Sequence, residues 1–393
     1  MPYEEAAAPA SAQQRVLIAP DKFKGCLTAL EVADALGDGL LAAGVPATRL
    51  PLADGGDGSV AAAITSGYRR HVVRVTDALG GSHDADIAYD GHTAIVEIAT
   101  TCGLATMGSR PLAPMTASSR GLGEAVCAAL RLRPSPRRIV IAPGGSASTD
   151  GGAGFLDALG WSLTDHRGEP IPPGGAQLPY ATALLPHHPV LPADVDLVLA
   201  TDVIDPLHGP RGAAHIYGPQ KGATASQVAH LDAGLRAFSE AARASFGEAV
   251  TVAGAAGAGS GGGVGFAALL LGARVVSGGE FFLDLTGFDA VARHADLIVT
   301  GEGSLDHQTL RGKLLAAVAR RSGDAAVVAA VGRCLLPRAE WPALQLQSVY
   351  AVADRHAGDT ASDPALTSDI LRDIGASIGA QLAGSGRQAA TMD

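Results

Sequence analysis

The stretch Ala295-Asp296-Leu297-Ile298-Val299-Thr300-Gly301-Glu302-Gly303 joins an apolar run to a polar loop that continues to Lys313. The apolar residues predict a buried β-strand, and a helical pattern follows the loop over residues 310–321. In α/β enzymes, phosphates and substrates bind where a strand ends in a loop that leads into a helix. Because this loop carries Glu302, Asp306 and Lys313, we interpret it as a candidate active-site loop.

Short strand-like runs alternate with Ala- and Leu-rich helical runs along the rest of the chain, a pattern typical of α/β proteins. The predicted strands are residues 15–19, 70–77, 85–89, 93–97, 138–142, 195–200, 296–300, 325–331 and 348–352. The predicted helices are residues 28–43, 121–132, 152–159, 225–246, 262–271, 287–294, 310–321 and 363–382. Thr28 and Glu31 have the spacing of a capping box, which predicts where the first helix begins.

The order of these elements predicts two α/β domains, which also suits a chain of 393 residues. Segment 70–97 has adjacent strands without a helix between them, which indicates a partly antiparallel sheet. We predict that residues 15–70 and 290–382 share a parallel sheet and that residues 71–289 form a separate, inserted domain. Residues 1–14 and 383–393 are predicted to be disordered tails.

Charge and cysteine content exclude several classes of protein. The net charge is −10 and no block is rich in Lys or Arg, so we expect no nucleic-acid partner. No run approaches the ~18 apolar residues of a membrane span, and the first residues lack the features of a signal peptide. The 4 cysteines are scattered without metal-ligand spacing. This disfavours zinc and disulfides and fits a cytoplasmic protein.

Glycine is unusually frequent, at 51 of 393 residues, or about 13% against a usual ~7%. The glycines cluster at residues 53–58, 144–152, 254–265 and 301–303. Several clusters contain or adjoin Asp, Glu, Ser or Thr, which a flexible linker would not require. Backbone that can approach a ligand, with carboxylates beside it, suits phosphate and Mg²⁺ chemistry.

Six motifs together resemble those of the bacterial glycerate kinases of the glycerate 2-kinase type. They are APDKFKG at 19–25, ADGGDG at 53–58, GGSASTDGG at 144–152, DVIDPL at 202–207, GPQKG at 218–222 and GEGSLDHQTLRGK at 301–313. The resemblance implies phosphorylation of D-glycerate with ATP and Mg²⁺, with the 2-hydroxyl as the favoured acceptor. It implies one flavodoxin-like domain built from both chain ends, a second α/β domain inserted in the middle, and small-molecule partners. It is compatible with a homodimer.

For this reaction we expect direct in-line transfer of the γ-phosphoryl group, in which positioning and charge neutralisation supply most of the catalysis. The candidate catalytic residues are Asp202, Asp306 and Lys24, and the candidate Mg²⁺ ligands are Asp202 and Asp205. The candidate binding residues for substrate and nucleotide are Asp21, Asp54, Gly55, Gly56, Gly145, Ser146, Asp150, Arg211, Lys221, Glu302 and Lys313. Which carboxylate acts as the base and which holds the metal stays open.

Each motif also has a plainer interpretation. Asp54 and Asp57 can be simple turn formers, and Asp205 before Pro206 can merely start a turn. The histidines beside the motifs, His208, His215 and His307, lack metal-ligand spacing and are interpreted as ordinary polar residues.

Three other functions stay open. They are a glycerate 3-kinase, a non-catalytic binding protein on the same fold, and an NAD-dependent oxidoreductase that uses the G-x-G-x-x-G run at 257–262. The last requires a strand directly before Gly257.

Overall fold

The computed structural model describes residues 15–311 and 313–389. The strands are β1 (Val16–Pro20), β2 (Ala47–Arg49), β3 (Arg69–Thr76), β4 (Ser82–Tyr89), β5 (Thr93–Glu97), β6 (Arg138–Ala142), β7 (Trp161–Thr164), β8 (Ala183–Pro186), β9 (Asp196–Ala200), β10 (Arg274–Val276), β11 (Leu297–Gly301), β12 (Ser304–Leu305), β13 (Ala326–Val331), β14 (Arg333–Cys334) and β15 (Leu346–Ala351).

The α-helices are α1 (Ala29–Ala42), α2 (Ser59–Thr65), α3 (Ile98–Cys102), α4 (Arg120–Leu130), α5 (Ala153–Ala158), α6 (Ala213–Tyr217), α7 (Ala225–Ala242), α8 (Ala249–Ala253), α9 (Val264–Leu270), α10 (Gly278–Leu285), α11 (Phe288–Ala292), α12 (Leu314–Arg320) and α13 (Pro364–Ala389). Short 3₁₀ helices cover Leu104–Met107, Leu178–Tyr180, Pro219–Lys221, Ser260–Gly262, Thr309–Arg311, Arg338–Leu344 and Val352–Asp354. Within the described ranges, no helix is both long enough and apolar enough to cross a membrane.

Among the described residues, the first compact unit runs as far as Leu52 and resumes at Gly287. Its sheet has the strand order β15-β13-β11-β1-β2, and all neighbouring strands are parallel. Numbered along the chain, the five strands of this sheet have the order 2-1-3-4-5, that of flavodoxin-like folds. β1 pairs with β11 from Val16↔Leu297 to Pro20↔Gly301. The prediction that both chain ends build one parallel sheet is confirmed.

Helix α1 begins where the sequence predicts, because its capping box is formed. The Thr28 hydroxyl accepts a hydrogen bond from the Glu31 N–H at 3.2 Å, and Glu31 Oε2 accepts one from the Thr28 N–H at 2.8 Å. α1 packs closely against α13, since a Cβ on Gly39 would overlap the carbonyl oxygen of Arg372. Their shared core includes Leu36 and Ile374, and burial of each such side chain contributes about 1.5–3 kcal/mol.

The second compact unit is Ala53–Thr286. Its sheet has the order β10-β9-β6-β5-β4-β3. The strands β5, β6, β9 and β10 run parallel, whereas β3, β4 and β5 form an antiparallel meander. The α/β class with one parallel and one mixed sheet is therefore confirmed. This mixed pattern follows from the sequence, because segment 70–97 has no room for a crossover helix.

The boundaries of the units differ from the predicted domain boundaries. Residues 53–70, predicted with the first sheet, belong to the second unit, because α2 packs Val60 and Ala63 against Ile95 and Val140 of the mixed sheet. At the other boundary, the first unit resumes at Gly287 instead of residue 290.

Helix α13 continues to Ala389, past the predicted start of a tail at 383. Gly384 costs an exposed helix only about 1 kcal/mol relative to Ala, so it does not end this one. The predicted tails at 1–14 and 390–393 lie outside the described residues.

Candidate functional site

The first cluster of site residues, which we call the acidic edge, consists of Asp21, Glu302 and Asp306 with Lys24 and Lys313. β1 and β11 end side by side, and the Asp21 N–H donates a hydrogen bond to the carbonyl oxygen of Gly301 at 2.8 Å. Asp21 and Glu302 therefore follow neighbouring parallel strands at the same carboxyl edge, where α/β proteins bind ligands.

Glu302 is a nearly buried carboxyl group, with 8% of the residue exposed. Its Oε1 accepts a hydrogen bond from the Thr309 hydroxyl at 2.5 Å. The pKa of Glu302 is raised to about 7, mainly by burial and also by the charges of Asp21 and Asp306, although the Thr309 hydrogen bond and the charge of Lys313 lower it. Glu302 can therefore take up or release a proton near neutral pH.

The loop after Glu302 is shaped by Asp306. Its Oδ1 accepts a hydrogen bond from the Gln308 N–H at 2.8 Å, and its carbonyl oxygen accepts one from the Thr309 N–H at 2.9 Å. This turn holds Thr309 against Glu302. His307 points outward, with its Nε2 at 3.4 Å from Glu340 Oε1.

Two lysines and a local ion pair complete the acidic edge. Lys313 is half-buried at the residue before α12, close enough to lower the pKa of Glu302. Lys24 is exposed, and its backbone runs beside Gly303. Lys22 Nζ lies 3.4 Å from Asp21 Oδ1, and both side chains are largely buried.

The second cluster, which we call the glycine loops, comprises residues 53–58, 144–152 and 257–263 of the inserted unit. These loops approach each other so closely that several glycines have no alternative. A Cβ on Gly55, where φ is +83°, would overlap the carbonyl oxygen of Ala200. A Cβ on Gly144 would overlap the Cα of Gly56, and one on Gly278 would overlap the carbonyl oxygen of Asp54.

Asp202 follows β9, and solvent reaches its side chain. It accepts hydrogen bonds from the Ser277 hydroxyl at 2.7 Å and from the Gly278 and Gly279 N–H groups at 3.1 Å each. Partial burial raises the pKa of Asp202, and the nearby Asp54 carboxylate adds to the rise, whereas the hydrogen bonds lower it. Asp202 thus caps the first turn of α10 and lies near enough to Asp54 to feel its charge.

Asp205, the other predicted metal ligand, is held by different partners. Tyr217 Oη donates a hydrogen bond to its Oδ2 at 2.7 Å, and Arg211 Nη2 lies 3.6 Å from its Oδ1. Across the described residues, no group of three or more His, Cys, Asp or Glu side chains is arranged to hold a metal. Mg²⁺ in phosphoryl-transfer enzymes needs only one or two carboxylates, with waters and phosphates as further ligands. The pair of Asp54 and Asp202 fits that requirement.

Asp150 lies inside the protein instead of at a surface. It is 0% exposed and accepts hydrogen bonds from the Ser119 N–H and hydroxyl, both at 2.8 Å, and from the Gly152 N–H at 3.1 Å. The Gly154 N–H adds a fourth at 3.3 Å. These donors occupy the lone pairs of a buried carboxylate, so Asp150 holds the loop in place. A ligand contact at Asp150 stays a prediction.

Lys221 is also buried, at 2% exposure. Its Nζ donates hydrogen bonds to Ser146 Oγ at 2.7 Å and to the carbonyl oxygen of Ser148 at 2.5 Å. It therefore acts within the glycine loops and does not present its charge at the surface.

Glu97, which sequence reasoning passed over, ends β5 and is 1% exposed. Its Oε2 accepts a hydrogen bond from the Val60 N–H at 2.9 Å. The signal was present, since Glu97 is an acidic residue at the end of a predicted strand, like Glu302.

The NAD interpretation loses its structural premise. Helix α8 and a short turn precede Gly257, whereas a dinucleotide fingerprint requires a strand there.

Comparison with known proteins gives one family. The model of the glycerate kinase family matches residues 16–382. The chain is 37% identical over 327 residues to the glycerate kinase of Bacillus subtilis (strain 168), covering 81% of this chain and 85% of that protein. It is 37% identical over 314 residues to the glycerate 2-kinase of Escherichia coli (strain K12), covering 78% and 81% respectively.

A crystal structure provisionally described as glycerate kinase 2 from Salmonella typhimurium LT2 is also similar. It superposes with a TM-score of 0.74 at 31% identity, covering 95% of this chain and 99% of that chain.

Proposed function

We propose, from the premise that this chain belongs to the glycerate kinase family, that it transfers the γ-phosphoryl group of ATP to the 2-hydroxyl of D-glycerate. Membership of the family makes it an enzyme that phosphorylates glycerate. The preference for the 2-hydroxyl is supported by the relative from E. coli, which is named a glycerate 2-kinase.

The main support for this proposal is the environment of Glu302. A proton acceptor works best when its pKa lies near the operating pH, and the pKa of Glu302 is raised to about 7. Thr309 holds Oε1, so we assign Oε2 to the acceptor hydroxyl of glycerate. Deprotonation of that hydroxyl as it attacks phosphorus is the step that a carboxylate here can assist.

The other residues of the acidic edge bind and orient in this proposal. Lys313 and Lys24 attract the carboxylate of glycerate or the phosphate groups, because an ammonium group is a strong donor to both. Asp306 fixes the turn that holds Thr309 on Glu302. Asp21, beside Glu302, adds to the rise in pKa that makes Glu302 a usable base.

In the inserted unit we assign Mg²⁺ to Asp202 with Asp54. A bound Mg²⁺ neutralises phosphate charge. Gly55, Gly56 and Gly145 lack side chains, so their backbone can lie directly against a phosphate. Asp205 and Arg211 pair with each other, so we give them a role in supporting the loop after β9. The cytoplasmic location and a homodimer, both expected from the sequence, stay predictions.

The test is an assay with purified protein, ATP, Mg²⁺ and D-glycerate, with the product identified by ³¹P and ¹³C NMR. We expect 2-phosphoglycerate. Formation of 3-phosphoglycerate would favour the glycerate 3-kinase, and binding without turnover would favour a non-catalytic protein. The same samples are checked for reduction of NAD.

A further inference from the structure

Lys221 joins three segments of the inserted unit. It ends the 3₁₀ helix Pro219–Lys221. Two of its acceptors, Ser146 Oγ and the Ser148 carbonyl oxygen, lie in the loop between β6 and α5. A Cβ on Gly262 would stand only 2.9 Å from its Nζ. The ammonium group is therefore enclosed by two of the three glycine loops.

The loop between β6 and α5 does not fasten this stretch with its own hydroxyl groups. Ser148 Oγ and Thr149 Oγ1 are buried and, among the described residues, have no hydrogen-bond partner. The preceding part is held by backbone contacts, because the Leu104 N–H donates a hydrogen bond to the carbonyl oxygen of Gly145 at 2.9 Å. Between Ser146 and Ser148, the loop is held by hydrogen bonds from the Lys221 side chain.

A buried ammonium group is costly unless it is hydrogen-bonded, and its bonds are stronger than those between neutral groups. The arrangement therefore resists displacement of the loop. It also places the positive charge of Lys221 at 2.7 Å from Ser146 Oγ. A fixed charge that needs no rearrangement favours an anion at the adjacent backbone.

We propose that Lys221 is a positioning residue that fixes the loop from Gly145 to Ser148 in its phosphate-binding conformation and supplies positive charge from within. This rests on the proposed function, in which Gly145 lies against the phosphates of the nucleotide. Lys221 does not touch the ligand in this account, so its loss weakens nucleotide binding through the loop.

The first experiment replaces the ammonium group by an apolar chain of similar length, Lys221→Met. We expect the Kd for MgATP, measured by calorimetry, to rise at least about tenfold, while the KM for D-glycerate changes by less than about twofold. In the protein without ligand, we expect faster amide hydrogen exchange in peptides that cover residues 143–152. Tyr89→Phe is the matched control, because it removes a buried hydrogen bond to the Pro134 carbonyl oxygen elsewhere in the unit. We expect Tyr89→Phe to leave the Kd for MgATP, the KM for D-glycerate and the exchange over residues 143–152 unchanged.

Two further variants keep the proposal testable if the Lys221→Met protein does not fold. Ser146→Ala removes one acceptor and keeps the charge, so a smaller rise in exchange and in the Kd for MgATP is expected. Lys221→Arg keeps the charge with a planar group that matches the two acceptors less well, so it restores part of the affinity. If Lys221→Met does not fold, the first of these variants decides the question with the same readouts.

Unchanged exchange and unchanged affinity for MgATP in a folded Lys221→Met protein, or in Ser146→Ala where the methionine variant is lost, would overturn the inference. A wild-type protein that binds no MgATP would overturn the proposed function instead. Hydrogen exchange needs no nucleotide, so it still shows in that case whether Lys221 holds the loop.

Discussion

The acidic edge and the glycine loops share one sequence feature, an acidic residue near glycine at the end of a strand. The carboxylates of the two regions nevertheless have different environments and different chemical properties. At the acidic edge, Glu302 accepts one hydrogen bond from a hydroxyl group and has a pKa of about 7. In the glycine loops, Asp150 accepts hydrogen bonds from Ser119, Gly152 and Gly154 and is fully enclosed. The two carboxylates differ because Asp150 is surrounded by more hydrogen-bond donors than Glu302.

Backbone N–H groups at the start of a helix stabilise an ionised carboxylate and use its lone pairs. Asp202 stands between the two extremes, since it caps α10 but remains open to solvent and lies near Asp54. The comparison therefore predicts which carboxylates contribute to catalysis and which contribute to stability.

The largest effect is expected at Glu302. Glu302→Gln keeps the size and the Thr309 contact but cannot accept a proton, so kcat should fall by about 10²–10⁴. Steady-state kinetics with D-glycerate and ATP measure this fall, and circular dichroism checks that the variant is folded. Turnover within about threefold of wild type would remove Glu302 from the role of base.

The next effect is expected at Asp202. Asp202→Asn removes the charge that we assign to Mg²⁺, and the rate should fall by about 10². Because Asp202 also accepts three hydrogen bonds at the start of α10, we expect a loss of about 1 kcal/mol in stability.

Titration with Mg²⁺ separates the two roles of Asp202, since a pure capping residue would lower the melting temperature without raising the Mg²⁺ requirement. A folded Asp202→Asn protein with normal turnover would assign the residue to stability only.

A smaller kinetic effect is expected at Lys313. Lys313→Met should raise KM for D-glycerate or for ATP by roughly tenfold, the scale of a hydrogen bond to a charged group. Lys313→Arg should restore only part of the affinity, because a planar guanidinium does not reproduce a point ammonium. Unchanged KM values for both ligands in both variants would place Lys313 on a merely solvated surface.

The last effect is on the pH dependence of stability instead of on the kinetics. Glu302 has a usual pKa of 4.5 in the unfolded chain and about 7 in the folded protein. The stability that its proton contributes is therefore fully present below pH 4.5 and is lost as the pH rises through about 7. Glu302→Gln has no carboxyl group to titrate, so it does not lose this stability. The free energy of unfolding of the variant minus that of the wild type should therefore increase by roughly 3 kcal/mol from acid to neutral pH. A difference that stays constant with pH, measured by urea unfolding, would contradict the raised pKa.

The sequence predicted the long elements of the fold and missed the short ones. Strands such as β11 and β13 are continuous apolar runs, which only a buried parallel strand explains well. β2 and β10 have three residues each, too few for a pattern to be visible. α10 begins with Gly278 and Gly279, which resemble a loop until Asp202 is known to cap them.

Likewise, the sequence predicted those features of the candidate site that depend on neighbouring residues and missed those that depend on distant ones. Glu302 was found because its surroundings are local, since Thr309 and Asp306 belong to the same loop. The internal role of Asp150 depends on Ser119, a residue 31 positions away, and that of Lys221 depends on Ser146, 75 positions away. Such partners are fixed by the packing of the sheet, and no single stretch of sequence contains them.

The most direct test of the account is the pH dependence of kcat/KM for D-glycerate at saturating MgATP, because this ratio reports the pKa of an essential base in the enzyme before it binds glycerate. We predict that kcat/KM rises about tenfold per pH unit at acid pH and levels off above about 7, where Glu302 is ionised. Glu302→Gln should abolish this limb. A profile that is flat from about pH 5.5 to 8, or an acid limb that persists in Glu302→Gln, would contradict the assignment of Glu302 as the proton acceptor.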